Sequence, residues 1–183
     1  SRKKEFLFVC LKTDFFLERM GSMGYCAYSF LDEVSSQCDY EIATDRLASF
    51  LGLAMHYIKH IDKEDLLFLC ETIYHANGSI RGKNAIDEER FKKVEALYKK
   101  YEVLYKEFYL PVGCIGASYL HVLRSECKNI VRWIVKIQKE KEVDKKIYEL
   151  FNLLSNLFFV MALYENKNEN TEELIFQSLS YGN

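Results

Sequence analysis

The sequence predicts an all-α protein, a five-helix bundle that follows an irregular N-terminal segment, residues 1–40. Beyond that segment, apolar residues recur at three- and four-residue steps, the spacing of one face of a helix. The 183 residues include one proline, Pro111, and 49% of them are hydrophobic. Little therefore interrupts the helices, and the chain can bury a sizeable core. We expect one domain over residues 1–183, with a polar tail over 165–183.

The first three helices are predicted from their stripes of apolar residues and from residues that commonly cap or end a helix. Residues 1–40 show no clear period, so a strand or a loop is as plausible there as a helix. The first helix begins near Glu41 and runs to about residue 58. The second begins after Asp62, a capping residue, and ends at the Asn77-Gly78 pair. The third begins near Asp87 and keeps its apolar stripe as far as Phe108, shortly before the proline.

Two further helices complete the bundle, at about residues 116–138 and 144–164. Their apolar residues keep the helical spacing, and the polar tail that follows is expected to fray or to form a short terminal helix.

Composition and charge exclude several classes of function. The net charge is -2, so no overall basic field attracts nucleic acid or an anionic membrane. The sequence is expected to contain no apolar stretch near the ~20 residues that span a bilayer. The six cysteines lack zinc-site spacing, and the short apolar run near the start lacks a cleavage site. We expect reduced thiols in a cytoplasmic protein.

Two predicted helices carry unusual polar stripes. On the fourth, His121, Arg124 and Lys128 share one face. This face is either a solvated basic surface or a grip for a polyphosphate. The fifth is apolar nearly all round, so its polar face of Asn152, Ser155 and Asn156 should lie away from bulk water. Those side chains either bond neighbouring helices or line a polar pocket.

The same reasoning applied to the first helix selects Asp45, an acid among apolar neighbours that needs a cation. Arg124 is a candidate partner. His56 and His60 have a spacing that can bind a metal, but no third ligand lies nearby in the sequence, so no metal site is predicted. Nucleophile-elbow, zinc-protease and P-loop motifs are all missing from the chain.

Three segments resemble signatures of one family, and they occur in that family's order. "FYLPVGCIGASYLHVLRSECK" is similar to the F-x-L-P-x-G…A-x-x-L-H-x-x-R segment of PduO-type ATP:cob(I)alamin adenosyltransferases. "FNLLSNLFFVMALYEN" resembles their N-R-L-S-D-x-L-F-V-x-A helix, and "TDRLASFLGLA" resembles D-E-L-N-S-x-I-G-L-A.

The resemblance implies a five-helix bundle that assembles as a homotrimer with sites between subunits. It implies that ATP, with Mg²⁺, donates its 5′-deoxyadenosyl group to the Co(I) of cob(I)alamin or a related corrinoid, and that triphosphate leaves. Because Co(I) is the nucleophile, such an enzyme needs positioning residues rather than a side-chain base.

The resemblance also assigns roles to individual residues. Phe108 matches a phenylalanine that presses on the corrin face, and Arg124 matches an arginine that contacts the nucleotide. Asp45 matches an aspartate that pairs with this arginine in the neighbouring subunit. Lys128 stands at a second ATP-binding arginine, and Asn152 matches the asparagine of N-R-L-S-D.

This sequence departs from the family pattern at several of its polar positions. The family residues there are replaced by Arg46, Ala48, Val131, Leu153 and Asn156. The glycine-rich ATP loop is reduced to Lys12, Thr13 and Asp14 in "LKTDFF". Lys12 is the phosphate-binding candidate of this segment. Two alternatives to the enzyme therefore remain. The chain is either a non-catalytic relative that binds corrinoid or nucleotide, or an unrelated helical interaction protein.

Overall fold

Five helices form the part of the chain that the computed structural model describes, residues 30–31 and 33–180. They are α1 (Ser36–Ala54), α2 (Lys63–Ser79), α3 (Glu88–Tyr101), α4 (Ile115–Ile137) and α5 (Lys145–Asn168). The described residues contain no β-strand, only one isolated bridge between Tyr109 and Ile175. The prediction of an all-α five-helix bundle is confirmed.

The helices share one hydrophobic core, centred on α4. This helix packs against α5 and α1, while α2 lies against α1 and α3 lies against α5. The predicted apolar stripe of α4 is buried in full: Leu120, Leu123, Cys127, Ile130, Ile134 and Ile137. Because all five helices supply side chains to this core, the arrangement of α4 and α5 is fixed from several sides.

Helix α1 begins earlier than the sequence predicted and also ends earlier. Ser35 is its N-cap, and its hydroxyl accepts a hydrogen bond from the Cys38 backbone N–H at 3.2 Å. The prediction that the irregular segment extends to residue 40 is therefore wrong for residues 36–40. Residues 1–29 lie outside the described part. The helix ends at Ala54, so His56 and His60 do not share a helix.

Helix α2 passes through the Asn77-Gly78 pair instead of ending there. Gly113 is the only described glycine with a positive φ, so no left-handed cap forms at Gly78. The Asn77 amide donates instead to the Glu41 carbonyl at 2.7 Å and to the Thr44 hydroxyl at 2.6 Å. The predicted stop is wrong because this tertiary contact to α1 uses the side chain that was expected to cap.

Helix α3 ends at Tyr101 and does not reach Phe108. Glu102 adopts an extended backbone, and Leu104 is almost fully exposed. The Tyr101 hydroxyl donates to Asp65 Oδ2 at 2.6 Å, which ties the end of α3 to α2. The apolar stripe beyond Tyr101 thus belongs to an irregular segment, and Pro111 does not terminate a helix.

The C-terminal tail runs as an extended segment along the α3–α4 connection. The Leu110 N–H donates to the Leu174 carbonyl at 2.8 Å, and the Phe176 N–H donates to the Phe108 carbonyl at 2.7 Å. The suggested short terminal helix is wrong for the described residues 171–180.

Judged by length and composition alone, helix α5 is long and apolar enough to cross a membrane. The expectation that no stretch approaches this length is therefore wrong. The helix packs against α4 and α3, and most of its apolar window is buried between them. This is the environment of a core helix.

His121 is a core histidine on α4 whose ring nitrogens have no hydrogen-bond partner among the described residues. Its residue surface is 4% exposed. Burial lowers the pKa of His121 to about 4, and the nearby charge of Arg124 acts in the same direction. The folded protein therefore holds a neutral imidazole at neutral pH.

We expect this histidine to make stability fall as the pH is lowered. The unfolded chain binds the proton near pH 6.5 and the folded chain only near pH 4, so the unfolded state gains about 3 kcal/mol across that window. Urea unfolding of wild type and His121→Leu at pH 7 and pH 4.5 measures this. The variant should lose less stability on acidification than wild type. Equal losses in wild type and His121→Leu would contradict the prediction.

Candidate functional site

A cavity of about 330 Å³ opens where the α3–α4 connection crosses α4 and α5. Its walls combine aromatic and charged side chains, a composition suited to a ligand with both a flat apolar part and an anionic part. The lining residues are Tyr105, Lys106, Glu107, Phe108, Tyr109, Arg124, Lys128, Ser155, Asn156 and Phe159.

Arg124 and Lys128 enter the cavity from α4, one helical turn apart. Arg124 is half-buried, with its guanidinium 5.7 Å from the centre of the Phe159 ring. Burial lowers the pKa of Arg124, but an arginine stays charged at neutral pH. Neither cation forms an ion pair within residues 33–180, and Arg124 Nε has no hydrogen-bond partner there. The site therefore presents two cations that a ligand anion can bind.

Helix α5 fixes the position of Arg124 through its backbone. The Ser155 hydroxyl donates to the Arg124 carbonyl at 3.2 Å, and Ser155 is buried between the two helices. On the same helix, Phe159 packs edge-on against Tyr105 at 5.0 Å. One helix thus holds both the cationic wall and the aromatic floor of the cavity.

Phe108 lies at the mouth of the cavity, and 83% of its surface is exposed. Phe108 is therefore not part of the hydrophobic core of the described residues. A large aromatic side chain with this exposure is available to a flat apolar ligand.

The polar face of α5 is only partly as predicted. Ser155 is buried, but Asn152 and Asn156 are exposed, so the expectation that both lie away from water is wrong. Asn156 lines the cavity. The Asn152 amide donates to the Tyr148 carbonyl of its own helix and is not part of the cavity wall. Asn152 needs no partner on a neighbouring helix, because the Tyr148 carbonyl one turn earlier accepts its hydrogen bond.

Asp45 lies on the exposed side of α1 and contacts α2. The Tyr74 hydroxyl donates to Asp45 Oδ1 at 2.7 Å, and this bond with burial raises the pKa of Tyr74 to about 12. Asp45 is therefore not buried within one chain, and it forms no ion pair with Arg124 in the described residues. The pairing between subunits stays a prediction. Lys12 lies outside the described residues.

Two buried polar residues near the end of α5 were missed from the sequence. The Glu165 carboxylate accepts from the Lys59 and His60 backbone N–H groups at 2.6 and 3.1 Å, and it anchors the α1–α2 connection. Asn166 binds the α3–α4 connection and the tail. The signal was an adjacent pair of polar residues closing a helix that is otherwise apolar.

The described residues contain no group of three or more histidine, cysteine or acidic side chains that could hold a metal ion. His60 Nε2 lies 2.6 Å from Glu169 Oε1, so its partner is an acid of α5's C-cap and not His56. The four described cysteines, Cys38, Cys70, Cys114 and Cys127, are free thiols.

Comparison with known proteins agrees with this architecture. The chain is 29% identical over 146 residues to a corrinoid adenosyltransferase of Bacillus subtilis, covering 73% of this chain and 76% of that protein. It is similar in fold to a PduO-type ATP:corrinoid adenosyltransferase from Lactobacillus reuteri, solved as one variant with ATP (TM-score 0.69, 22% identity, 79% of this chain and 89% of that chain). A second variant of it, with cobalamin and ATP, gives a TM-score of 0.69 at 20% identity, with 79% and 88% covered.

The family model for cobalamin adenosyltransferase matches residues 32–165. This range contains the five helices up to the last turn of α5 and every described residue that lines the cavity. The chain therefore belongs to the cobalamin adenosyltransferase family.

Proposed function

We propose that this chain transfers the 5′-deoxyadenosyl group of ATP to the Co(I) of a reduced corrinoid, such as cob(I)alamin, at the cavity between the α3–α4 connection, α4 and α5. The observation that carries the proposal is the convergence of Phe108, Arg124 and Lys128 on one cavity. These residues come from two segments of the chain, and each has the chemistry that one of the two substrates requires.

The triphosphate of ATP is assigned to the two cations of α4. Arg124 offers a planar fork of donors, and Lys128 offers a mobile point charge one turn further on. Mg²⁺ would accompany ATP as part of the substrate and would neutralise part of the triphosphate charge. Glu107 at the rim repels phosphate, which favours placing the anion deeper, against α4.

The corrin ring is assigned to the mouth of the cavity, at Phe108. An exposed ring at this place can press on one face of the macrocycle and exclude a lower axial ligand from cobalt. The electron pair of Co(I) then forms the Co–C bond to C5′ of ATP, the C5′–O bond breaks, and triphosphate leaves with the electron pair of the broken C5′–O bond. No protein base takes part, so the chain has to orient the substrates and exclude water.

The alternative of a non-catalytic relative is not favoured. Membership of the family agrees with transfer between two bound substrates, as do the two cations beside an exposed aromatic ring, which form no ion pair with any described residue. For this enzyme we also propose a cytoplasmic location.

A homotrimer is proposed as the working assembly. Along α1, Ile42, Asp45 and Leu53 are exposed at helical steps on one face, and Tyr74 of α2 lies beside them. This exposed face is mixed, since it also carries Arg46 and Ser49, but the Asp45 carboxylate on it is complementary to a second copy that presents Arg124. This contact would supply Asp45 with a cation, since Asp45 forms no ion pair within the described residues 33–180.

The function is tested by mixing the protein with MgATP and chemically reduced cobalamin and following adenosylcobalamin by its absorption spectrum. We expect formation with wild type. Phe108→Ala should fold normally, since an exposed side chain contributes within about 0.5 kcal/mol, yet transfer at least about tenfold more slowly. Leu67→Ala, half-exposed on α2, is a control for loss of an exposed apolar side chain. Failure of wild type to form the product would contradict the proposal.

We expect ATP binding to be weak without corrinoid and strongly dependent on salt. The family's glycine-rich phosphate loop is degenerate here, so partly exposed cations must hold the phosphates, and salt screens them over about 8 Å at physiological ionic strength. Calorimetric titration at low and high salt should show this. Arg124→Ala should weaken binding roughly tenfold or more, whereas Lys136→Ala, an exposed α4 cation over the Trp133 ring, should change little. Tight, salt-insensitive binding would contradict this assignment.

The assembly is tested by light scattering. We expect a mass about three times that of the 21.6 kDa chain and a shift toward monomer in Asp45→Arg, because like charges then meet at the contact. Glu95→Arg makes the same charge change at an exposed site on α3 and should leave the mass unchanged. A wild-type monomer at micromolar concentration would remove the trimer.

A further inference from the structure

Asn166 is a fully buried amide in the last turn of α5, and its side-chain hydrogen bonds all reach outside that helix. Its Oδ1 accepts from the Cys114 backbone N–H at 2.9 Å. Its Nδ2 donates to the Val112 carbonyl at 3.2 Å and to Glu173 Oε1 at 2.9 Å. One side chain therefore joins α5, the α3–α4 connection and the C-terminal tail.

The α3–α4 connection is shaped to fit around this amide. Gly113 has φ +141°, and a Cβ atom at that position would collide with the Asn166 side chain. Only glycine allows the backbone to approach the amide this closely and to adopt this φ. Val112 and Cys114, which hydrogen-bond to the Asn166 side chain, therefore flank Gly113, the residue whose missing side chain makes room for the amide.

The tail completes a brace around the mouth of the cavity. Glu173, held by Asn166, leads into residues 174–176, which make the two backbone hydrogen bonds to Phe108 and Leu110. The segment that carries Phe108 is consequently fixed at two places, by the amide behind Val112 and by the tail beside Phe108 itself.

This bracing matters because the Phe108 side chain cannot position itself. Its ring is 83% exposed, so packing within the chain does not select its direction. The direction in which it leaves the backbone is set by the backbone, and the backbone there lacks the internal bonds of a helix. A small change in the brace therefore moves the ring relative to α4.

We propose that Asn166 is a positioning residue for corrinoid binding, which orients Phe108 through the α3–α4 connection and through the Glu173 tail contact. This inference rests on the proposed function for its corrinoid readout. Its structural half concerns the order of residues 108–112 and is measured without any substrate.

The test exchanges the donor and acceptor of the Asn166–Glu173 bond. Asn166→Asp keeps the size of the side chain and the oxygen that accepts from the Cys114 N–H. It removes the hydrogen bonds donated to the Val112 carbonyl and to Glu173, and it places the new carboxylate beside that of Glu173. In the double variant Asn166→Asp with Glu173→Gln, the new glutamine amide donates to the new carboxylate, so the tail contact returns. Asn168→Asp is the matched control, since the Asn168 amide is exposed and bonds only its own helix.

We expect hydrogen exchange at residues 108–112 to quicken roughly fivefold or more in Asn166→Asp, to recover in part in the double variant, and to stay unchanged in Asn168→Asp. In the transfer assay, KM for the corrinoid should rise by a similar factor while KM for ATP stays within about twofold. Unchanged exchange and unchanged corrinoid KM in Asn166→Asp would overturn the proposal. If wild type shows no transfer activity but Asn166→Asp still exchanges faster at residues 108–112, the proposed function fails while the brace by Asn166 is supported.

Phe176→Pro provides a second route if Asn166→Asp does not fold. Proline removes the N–H that donates to the Phe108 carbonyl and leaves Asn166 intact. Ile175→Pro is its control, because the Ile175 N–H makes no hydrogen bond to the described residues. The first variant should raise the corrinoid KM and the exchange at residues 108–110 more than the second. Equal behaviour of the two would overturn the tail's part in the brace.

Discussion

The packing of α4 against α5 is the contact on which the candidate site depends. The buried stripe of α4 sets which of its residues reach the edge of the core, and Arg124 is one of them. The Ser155 hydroxyl then holds the Arg124 backbone, and Phe159 lies beneath its guanidinium. A shift between these two helices would separate the cations from the aromatic floor, so the core and the site share one constraint.

The sequence was sufficient to predict the five helices because most of their apolar stripes are buried, although the stripe beyond Tyr101 is neither helical nor buried. It failed where a side chain found a tertiary partner: Asn77 bonds α1 instead of capping α2, and Tyr101 anchors the end of α3 to α2. The meeting of Phe108 with Arg124 was expected only through family resemblance, since spacing says nothing about contacts between distant segments. Asn166 was missed because the polar pair Glu165 and Asn166 at the end of an apolar helix does not show which distant segments its side chains contact.

The chemistry of this family explains why the site looks unlike most active sites. When the cobalt of the substrate is the nucleophile, the protein has no proton to move at the reacting carbon, and its contribution is electrostatic and positional. Lys128 in place of an arginine keeps the charge but gives up a bidentate contact. In the proposed assignment, binding of triphosphate then rests more on Arg124, and orientation of the corrinoid rests on the Phe108 ring, whose segment is bonded by the tail and by Asn166.

The most direct test of this account is a crystal structure of the protein with MgATP and cob(II)alamin bound. The account predicts phosphate oxygens within hydrogen-bond distance of Arg124 and Lys128, and the corrin face in contact with the Phe108 ring. Triphosphate bound elsewhere, or a corrin ring away from the mouth of this cavity, would contradict it.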